Sequence, residues 1–462
     1  MEKYKMQLMQ KVGLCTVTLF ASQYLAVAVS PEKMNVVFLL ADDLRWNSLG
    51  CLGNPVVITP NIDQLAQDGI RFNNASVTTA ICMVSRACLL SGLYMSRHQV
   101  TKFGVELPEI TLQETYPAVL RKAGYWTGFV GKYGVGKIRA TDYDYSSIYE
   151  GKHWLPNGKG DSIHVTAKNE KDALSFLKDR PKEKPFLLSV SFFATHAEDR
   201  HPDQYRYQPQ SEKYYLNTVI PVPKTATEEA LKALPPFISD EKNEGRNRWH
   251  WRFDSPEKYQ RYMKAYYRML TEMDLAIGKI IQELKAQGVY ENTLIIFMGD
   301  NGYFQSDHML ADKWYPYEES IRVPLVVHDP RLPASRRNTS NNEFVLNIDI
   351  APAIIAAVGE PIPLAVQGQD FSALYLNKNA PAWRQDFYYE HPVINKVSFI
   401  PSSEALVTHR DKYIFWPDHQ YEEYFDLKKD RSEVQNQIKN KKYQKKIESA
   451  KKRMAELKQK VQ

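Results

Sequence analysis

Continuous apolar stretches that end in polar or ionisable side chains recur along the chain. They are residues 35–43, 126–132, 185–196, 292–302 and 323–329. A short apolar run without alternation is typical of a strand buried on both faces of a parallel sheet. Helical spacing appears in 61–69, 111–124 and 255–288, where Pro256 stands early and Gly288 marks the stop. Strands that alternate with helices predict an α/β fold with a large mixed, mainly parallel sheet sandwiched by helices.

The pattern changes near residue 366. Short strand-like segments follow, "DFYYEH", "EALVTHRDKYIFWP" and "EEYFDL", and then a basic helical tail over 432–462. These segments predict a smaller C-terminal antiparallel sheet plus helix, a subdomain at 366–462 that follows a catalytic domain at 31–365. We interpret the lysines of the tail as a solvated helix face rather than a binding element.

The first residues have the composition of an export signal. Lys3, Lys5 and Lys11 precede an apolar run, and "AVA" at 26–28 supplies the small residues of a cleavage site. A membrane anchor is the competing interpretation, but polar residues interrupt the run, which is short of the ~20 residues of a membrane span. We therefore predict a cleaved signal peptide at 1–28, a secreted or periplasmic protein and no stable membrane span.

Composition narrows the class of protein further. Once the signal peptide is removed, the cysteines are Cys51, Cys82 and Cys88, too few for a disulfide scaffold and odd in number, so at least one is unpaired or chemically changed. The formal net charge of +6 suits an anionic partner. The chain shows no nucleic-acid-binding signature, so no nucleic-acid partner is expected.

Polar side chains gather at the predicted strand ends. They are Asp42, Asp43, Lys132, His196, Asp300 and Asn301. In open α/β sheets ligands bind at the carboxyl ends of the strands, so these side chains are expected to share one crevice. The acidic and amide pairs offer the oxygen ligands that a hard cation needs. Each pair also has a purely structural interpretation, as a strand-end turn or a tight turn before Gly302.

Four segments in order carry a resemblance to a known family. They are "LLADDLRWNSLG" with the "TPNIDQLAQDGIRFNNA" that follows it, "CMVSRACLLSG" from Cys82, "GDNG" at 299–302, and "HMLADKWYPYEESIRVPL" at 308–325. With these motifs the chain resembles the type I formylglycine-dependent (arylsulfatase-like) sulfatases of the alkaline phosphatase superfamily, in particular bacterial polysaccharide sulfatases. The resemblance covers almost the whole mature chain, and Val84 departs from the usual proline or alanine.

The resemblance implies a modified residue and a metal. Cys82 would be oxidised by a formylglycine-generating maturation enzyme to 3-oxoalanine (formylglycine), whose hydrate carries two hydroxyls, one of which attacks sulfur as the alcohol departs. One calcium ion per chain would be held by Asp42, Asp43, Asp300 and Asn301, together with the side chain of residue 82.

The resemblance also assigns the charged residues of the site. Arg86 would fix the hydrated formylglycine, while Lys132 and Lys313 would hold the sulfate and assist the leaving oxygen. His196 matches the histidine that ends the family's corresponding strand, and we take it as the general acid. His308 aligns with a family histidine near the metal loop, so a substrate contact and a purely structural role both stay open.

One position departs clearly from the family pattern. The segment "GKYGVGK" stands where the family commonly has "GKWHLG", so Gly134 replaces a histidine that is often assigned to proton removal. The base must then come from another residue or from water.

These observations predict an enzyme that hydrolyses sulfate esters of a sulfated polysaccharide or its oligosaccharides. Residues 197–256 form an insertion with interleaved aromatic and cationic residues, suited to stack on sugars and bind their anionic groups, although a packed cap is the alternative. A phosphate or phosphonate ester hydrolase of the same superfamily is the second candidate. A catalytically inactive glycan-binding homologue is the third, encouraged by Val84 and Gly134.

Overall fold

The computed structural model describes residues 33–462 apart from residues 140, 159, 200, 378 and 381, so the predicted signal peptide lies outside the described residues. In the described chain the strands are β1 (Asn35–Ala41), β2 (Ile70–Ser76), β3 (Trp126–Gly131), β4 (Tyr145–Ile148), β5 (Trp154–Pro156), β6 (Ser162–His164), β7 (Phe186–Phe192), β8 (Thr293–Gly299), β9 (Phe304–Gln305), β10 (Ala311–Asp312), β11 (Leu325–His328), β12 (Thr339–Leu346), β13 (Asp386–His391), β14 (Ser403–Thr408), β15 (Asp411–Trp416) and β16 (Tyr421–Asp426). The α-helices are α1 (Pro60–Asp68), α2 (Cys82–Ser91), α3 (Met95–His98), α4 (Glu109–Leu112), α5 (Tyr116–Lys122), α6 (Val165–Asp179), α7 (Glu228–Ala233), α8 (Pro236–Ser239), α9 (Glu244–Arg252), α10 (Pro256–Ala286), α11 (Glu318–Ile321), α12 (Ile350–Ala357), α13 (Ala373–Leu376) and α14 (Gln444–Val461).

Eight strands form the main sheet, in the order β12-β2-β11-β8-β1-β7-β3-β4. The five strands from β8 to β4 run parallel to one another, whereas β11 is antiparallel to both of its neighbours, and β12 pairs with β2 in parallel. The predicted mixed, mainly parallel sheet is therefore confirmed.

Strand β1 shows why this sheet is covered on both faces. All seven of its residues are buried, and successive side chains alternate between two hydrophobic clusters. Phe38 joins the cluster that contains side chains of α2, α5 and α12, while Leu39 joins the one that contains side chains of α1, α6 and α10. A strand that is apolar at every position is the sequence consequence of two helical layers.

Helix boundaries follow local signals. Helix α10 begins after Ser255, whose hydroxyl accepts a hydrogen bond from the N–H of Lys258, and Pro256 occupies its first turn. The expected helix over 111–124 is instead two helices, α4 and α5. The second starts after Thr115 with Pro117 in its first turn, because proline lacks the N–H that a continuous helix needs at that point.

The C-terminal residues form the predicted antiparallel sheet, in the order β13-β14-β15-β16. Helix α14 starts at Gln444, twelve residues later than the helical tail predicted from 432, and it buries Ile447, Ala450 and Met454 in the core. The domain boundary at residue 365 stays a prediction. Among the described residues, no helix has both the length and the apolar character needed to cross a bilayer.

Candidate active site

Neighbouring parallel strands deliver most of the predicted site residues to one edge of the sheet. Strand β1 ends just before Asp42, β8 just before Asp300, and β3 just before Lys132. His196 lies four residues beyond the end of β7, which pairs with both β1 and β3. Because the carboxyl ends of these strands meet, these side chains converge at one edge of the sheet.

Helix α2 brings Cys82 and Arg86 to the same place. Cys82 is the first residue of this helix, Arg86 lies one turn later, and every residue of the helix is buried. The Arg86 Nε–H donates to Oδ2 of Asp300 at 2.8 Å, and Nη1 donates to the carbonyl oxygen of Lys132 at 2.7 Å and to the Ser191 hydroxyl. Arg86 therefore connects α2 to the ends of three strands.

Arg86 limits the space available at Gly134. Its φ is +73°, a conformation that favours glycine, and a Cβ built there would lie only 2.8 Å from Cδ of Arg86. A side chain at position 134 cannot fit unless Arg86 moves. The glycine that departs from the family pattern is thus matched to the position of Arg86 in this chain.

The acidic residues are interleaved with lysines. Lys132 Nζ donates to Oδ2 of Asp42 at 2.5 Å, and Lys313 Nζ donates to Oδ2 of Asp43 at 2.8 Å. The Asn301 amide donates to Oδ1 of Asp43 at 2.7 Å. All five side chains are buried, so each ion pair lies in a region of low dielectric where unpaired charge is costly.

Burial and neighbouring charge shift the acid–base equilibria. Burial, with the charge of Asp42 acting in the same direction, raises the pKa of Asp300 to about 7. For Asp42 burial works against ionisation, but the Lys132 ammonium holds its pKa well below the usual range. Burial raises the pKa of the Cys82 thiol, which Lys132 offsets only in part, so an unmodified Cys82 carries its proton at neutral pH.

Two oxygens in this cluster have no hydrogen-bond partner among the described residues. They are Oδ1 of Asp42 and Oδ1 of Asn301, and both are buried. Ligand atoms of Asp42, Asp43 and His196 also lie within 4.8 Å of one another, a spacing suited to one metal ion. Buried oxygens without donors next to carboxylates fit a hard cation, which takes oxygen ligands.

His196 has a defined tautomer. Its Nδ1 lies 2.6 Å from the carbonyl oxygen of Ala197, and since a carbonyl only accepts, Nδ1 carries the proton. Its Nε2 lies 3.6 Å from Oδ2 of Asp43, on the side of the carboxylate cluster. Burial lowers the pKa of His196, with Lys313 acting in the same direction and Asp43 opposing it.

His308 does not join this cluster. It is fully buried, and its ring lies against Phe304 and Tyr317 at centroid distances of 6.3 and 5.8 Å. Its backbone N–H donates to the carbonyl oxygen of Thr225. These contacts correspond to the structural alternative of the sequence analysis.

The inserted segment adds charged residues that sequence reasoning did not single out. Arg248 and Arg252 of α9 both bind the carboxylates of Asp199 and Asp312, and Asp312 directly precedes Lys313. Arg248 also lies over the ring of Trp314, 5.2 Å from its centroid. The sequence contains one signal for this pair: the two arginines are four residues apart, a spacing that places both on one face of a helix.

Comparisons with known proteins agree with this geometry. A family model described as "Sulfatase" matches residues 34–360, and one described as "N-sulphoglucosamine sulphohydrolase, C-terminal" matches residues 306–460. An N-acetylglucosamine-6-O-sulfatase of Bacteroides thetaiotaomicron is 26% identical over 90% of this chain and 85% of that protein. An arylsulfatase of Clostridium perfringens is 27% identical over 90% of this chain and 92% of that protein.

Solved structures show the same fold. One, in complex with its substrate D-glucosamine-2-N,6-O-disulfate, has a TM-score of 0.77 and 22% identity over 93% of this chain and 98% of that chain. A phosphonate monoester hydrolase of Agrobacterium radiobacter has a TM-score of 0.78 and 21% identity over 93% of this chain and 96% of that chain. Since the family model covers more than half of the sequence, the chain belongs to the sulfatase family, whose members are sulfuric ester hydrolases.

Proposed function

We propose that this enzyme hydrolyses sulfate esters of a sulfated polysaccharide or its oligosaccharides, with formylglycine at position 82 and one bound calcium ion. The observation that carries the proposal is the convergence of Cys82, Arg86 and the two lysines on the carboxylate cluster. A buried thiol with a raised pKa is a poor nucleophile, so the position gains a chemical role only if the cysteine is converted.

Asp42, Asp43, Asp300 and Asn301 would hold the calcium ion, with the modified side chain of residue 82 as a further ligand. The orphaned oxygens of Asp42 and Asn301 support this set. When bound, calcium would supply positive charge for the sulfate oxygens. The hydrated formylglycine would supply two hydroxyls on one carbon, one as the nucleophile.

The chain's own residues would then bind and orient the ester. Lys132 and Lys313 carry charge at neutral pH, because the Asp42 and Asp43 carboxylates raise their pKa values against the effect of burial. Two fixed ammonium groups suit the single negative charge of a sulfate ester. Arg86 would orient residue 82 from one turn along α2. His196 would act on the leaving oxygen through Nε2, since Nδ1 is held by Ala197, and it can donate a proton there only as the doubly protonated imidazolium, which burial and Lys313 disfavour and Asp43 favours.

The relatives support a glycan substrate. The names of curated relatives include an N-acetylglucosamine-6-O-sulfatase of Bacteroides thetaiotaomicron and ulvan-active sulfatases of Formosa agariphila. In the inserted segment, the partly exposed Arg248 lies over the ring of Trp251, which is 38% exposed, and over the ring of Trp314, the residue after Lys313. Aromatic rings and guanidinium groups beside the sulfate site are suited to a sugar with acidic substituents.

Mass spectrometry of the peptide that carries residue 82 tests the modification. Co-expression with a formylglycine-generating enzyme should lower its mass by about 18 Da, because SH₂ is lost and an oxygen is gained. Complete retention of unmodified cysteine would favour the third candidate, a glycan-binding homologue without catalysis.

The similarity to a phosphonate monoester hydrolase keeps a phosphate or phosphonate ester hydrolase as the second candidate. Assays of one preparation with 4-nitrophenyl sulfate and 4-nitrophenyl phosphate distinguish the two. We expect faster sulfate hydrolysis, since the lysine pair matches a monoanion; the reverse order would favour the phosphoester activity.

Export is part of the same proposal. The predicted signal peptide at 1–28 would direct the chain to the periplasm or the medium, where a polymeric glycan is accessible. Amino-terminal sequencing of protein recovered from those fractions should start just after residue 28, and an intact Met1 there would contradict the cleavage.

A further inference from the structure

A groove lies beside helix α10 at the catalytic edge of the sheet. Its volume is about 550 Å³, and its walls come from Trp154 of β5, from residues 203–212 of the inserted segment and from the first half of α10. Because α10 leads into β8, and Asp300 follows β8, the start of α10 lies at the edge where the catalytic residues gather. None of the catalytic residues lines this groove.

The lining combines aromatic rings with cations. Its aromatic residues are Trp154, Tyr205, Tyr207 and Tyr262, and its charged residues are Arg206, Arg261, Lys264, Arg268, Asp203 and Glu212. Four cations against two carboxylates leave the groove positively charged. Arg261 is largely exposed and binds the likewise exposed carboxylate of Asp203, whereas Lys264 makes no ion pair with any described residue.

Two chains of hydrogen-bonded residues connect the wall of this groove to the active site. Trp154 follows His153, whose Nε2–H donates to the carbonyl oxygen of His196 at 2.9 Å. On the other side, the hydroxyls of Tyr205 and Tyr303 are 2.6 Å apart, and Arg252 binds both Tyr303 and Asp312, the residue before Lys313. The groove is thus next to the site but separated from the sulfate-binding lysines.

We propose that this groove binds a second saccharide unit of the substrate, one that carries a sulfate or carboxylate group, while the scissile sulfate occupies the catalytic cluster. Trp154 and Tyr207 offer aromatic faces to a sugar ring, and Arg261 and Lys264 offer charge to its acidic substituent. The volume is in the range of about 300–1,000 Å³ that small-molecule sites occupy. The inference rests on the proposed glycan substrate. It implies that the enzyme recognises an oligosaccharide rather than a single sulfated sugar.

Equilibrium binding of a heparin hexasaccharide tests the groove without turnover. The parent protein is the full chain with Cys82→Ala, and the groove variant adds Arg261→Gln and Lys264→Gln. The matched control adds Lys279→Gln and Lys285→Gln, which are exposed on the far half of the same helix and remove the same charge. Circular dichroism checks that all three proteins are folded.

We expect the groove variant to weaken the Kd about tenfold and the control less than twofold at one ionic strength. Trp154→Leu, which leaves the charge unchanged, should also weaken hexasaccharide binding several-fold. Inorganic sulfate should compete poorly, because the site is expected to bind a sugar ring and its charged group together. Equal losses in the groove and control variants would overturn the proposal, as would full competition by inorganic sulfate. A failed sulfatase assay with intact hexasaccharide binding would instead count against the proposed function alone.

Discussion

Replacing Gly134 by alanine tests how the site accommodates the missing histidine. The residue has a φ of +73°, and an added Cβ would approach Cδ of Arg86 to 2.8 Å. Arg86 cannot easily yield, because it is buried and donates to Asp300, Lys132 and Ser191. The substitution therefore combines backbone strain with displacement of the arginine that lies behind residue 82.

The expected magnitude follows from these two effects. A non-glycine residue in the left-handed region costs about 1–2 kcal/mol, and overpacking costs about 1–3 kcal/mol, so Gly134→Ala should lower the free energy of unfolding by about 2–5 kcal/mol. A displacement of about 1 Å near the reacting groups can reduce the rate about 10²-fold. We therefore expect kcat/KM for 4-nitrophenyl sulfate to fall about 10²-fold, and urea unfolding of the same protein measures the loss of stability.

Gly124→Ala is the matched control. Gly124 has a φ of +91°, and no atom lies within 4 Å of its added Cβ, so only the backbone cost of about 1–2 kcal/mol remains and activity should be retained. Equal stability losses with full activity in both variants would refute the role of the Arg86 contact. A Gly134→His enzyme with a raised kcat would do the same, since a histidine could then enter without disturbing the site.

Four further outcomes are expected. Cys82→Ala should abolish turnover in a folded protein, and retention of more than a few per cent activity would contradict the nucleophile. Elemental analysis should find one calcium per chain, with activity lost on chelation and restored by calcium, whereas stoichiometric zinc in active enzyme would refute the assignment. His196→Ala should lower kcat about 10²–10⁴-fold on a sugar sulfate but less on 4-nitrophenyl sulfate, whose phenolate leaves without a proton, and equal losses would exclude the acid role. Burial lowers the pKa of His98 and His391 to about 3, so the unfolded chain binds more protons than the folded chain below pH 6.5. Urea unfolding should therefore show the free energy of unfolding falling by about 1.4 kcal/mol per pH unit for each histidine as the pH drops to about 4. If His391→Gln leaves this pH dependence unchanged, the prediction is wrong.

The sequence predicts the centre of the fold better than its edges. Strands β1, β3, β7 and β8 are continuous apolar runs, and each was expected within a few residues of its observed bounds. Strands β2 and β12 were not predicted, because "IRFNNAS" and "TSNNEFVL" contain asparagines and lack an apolar run. Their pairing depends on contacts between residues about 270 positions apart, which no local pattern encodes.

The site shows the same division. Motif residues at strand ends converge because parallel strands must end together, so Asp42, Lys132 and Asp300 follow from sequence order alone. The fit between Gly134 and Arg86 does not, because it depends on how closely α2 packs against the segment that follows β3, to within the size of a methyl group.

The charges of the cluster indicate what a bound cation would contribute to the proposed chemistry. Three carboxylates, those of Asp42, Asp43 and Asp300, face three cationic groups, and in this structure both lysines donate to carboxylates rather than to open space. A sulfate ester adds negative charge to a buried region that is already close to neutral, which is unfavourable in a low dielectric. Lys132 and Lys313 can bind sulfate only if other positive charge balances the carboxylates they now hold. The unpartnered oxygens of Asp42 and Asn301 mark where that charge is needed, so the proposed metal site and the proposed sulfate site depend on each other.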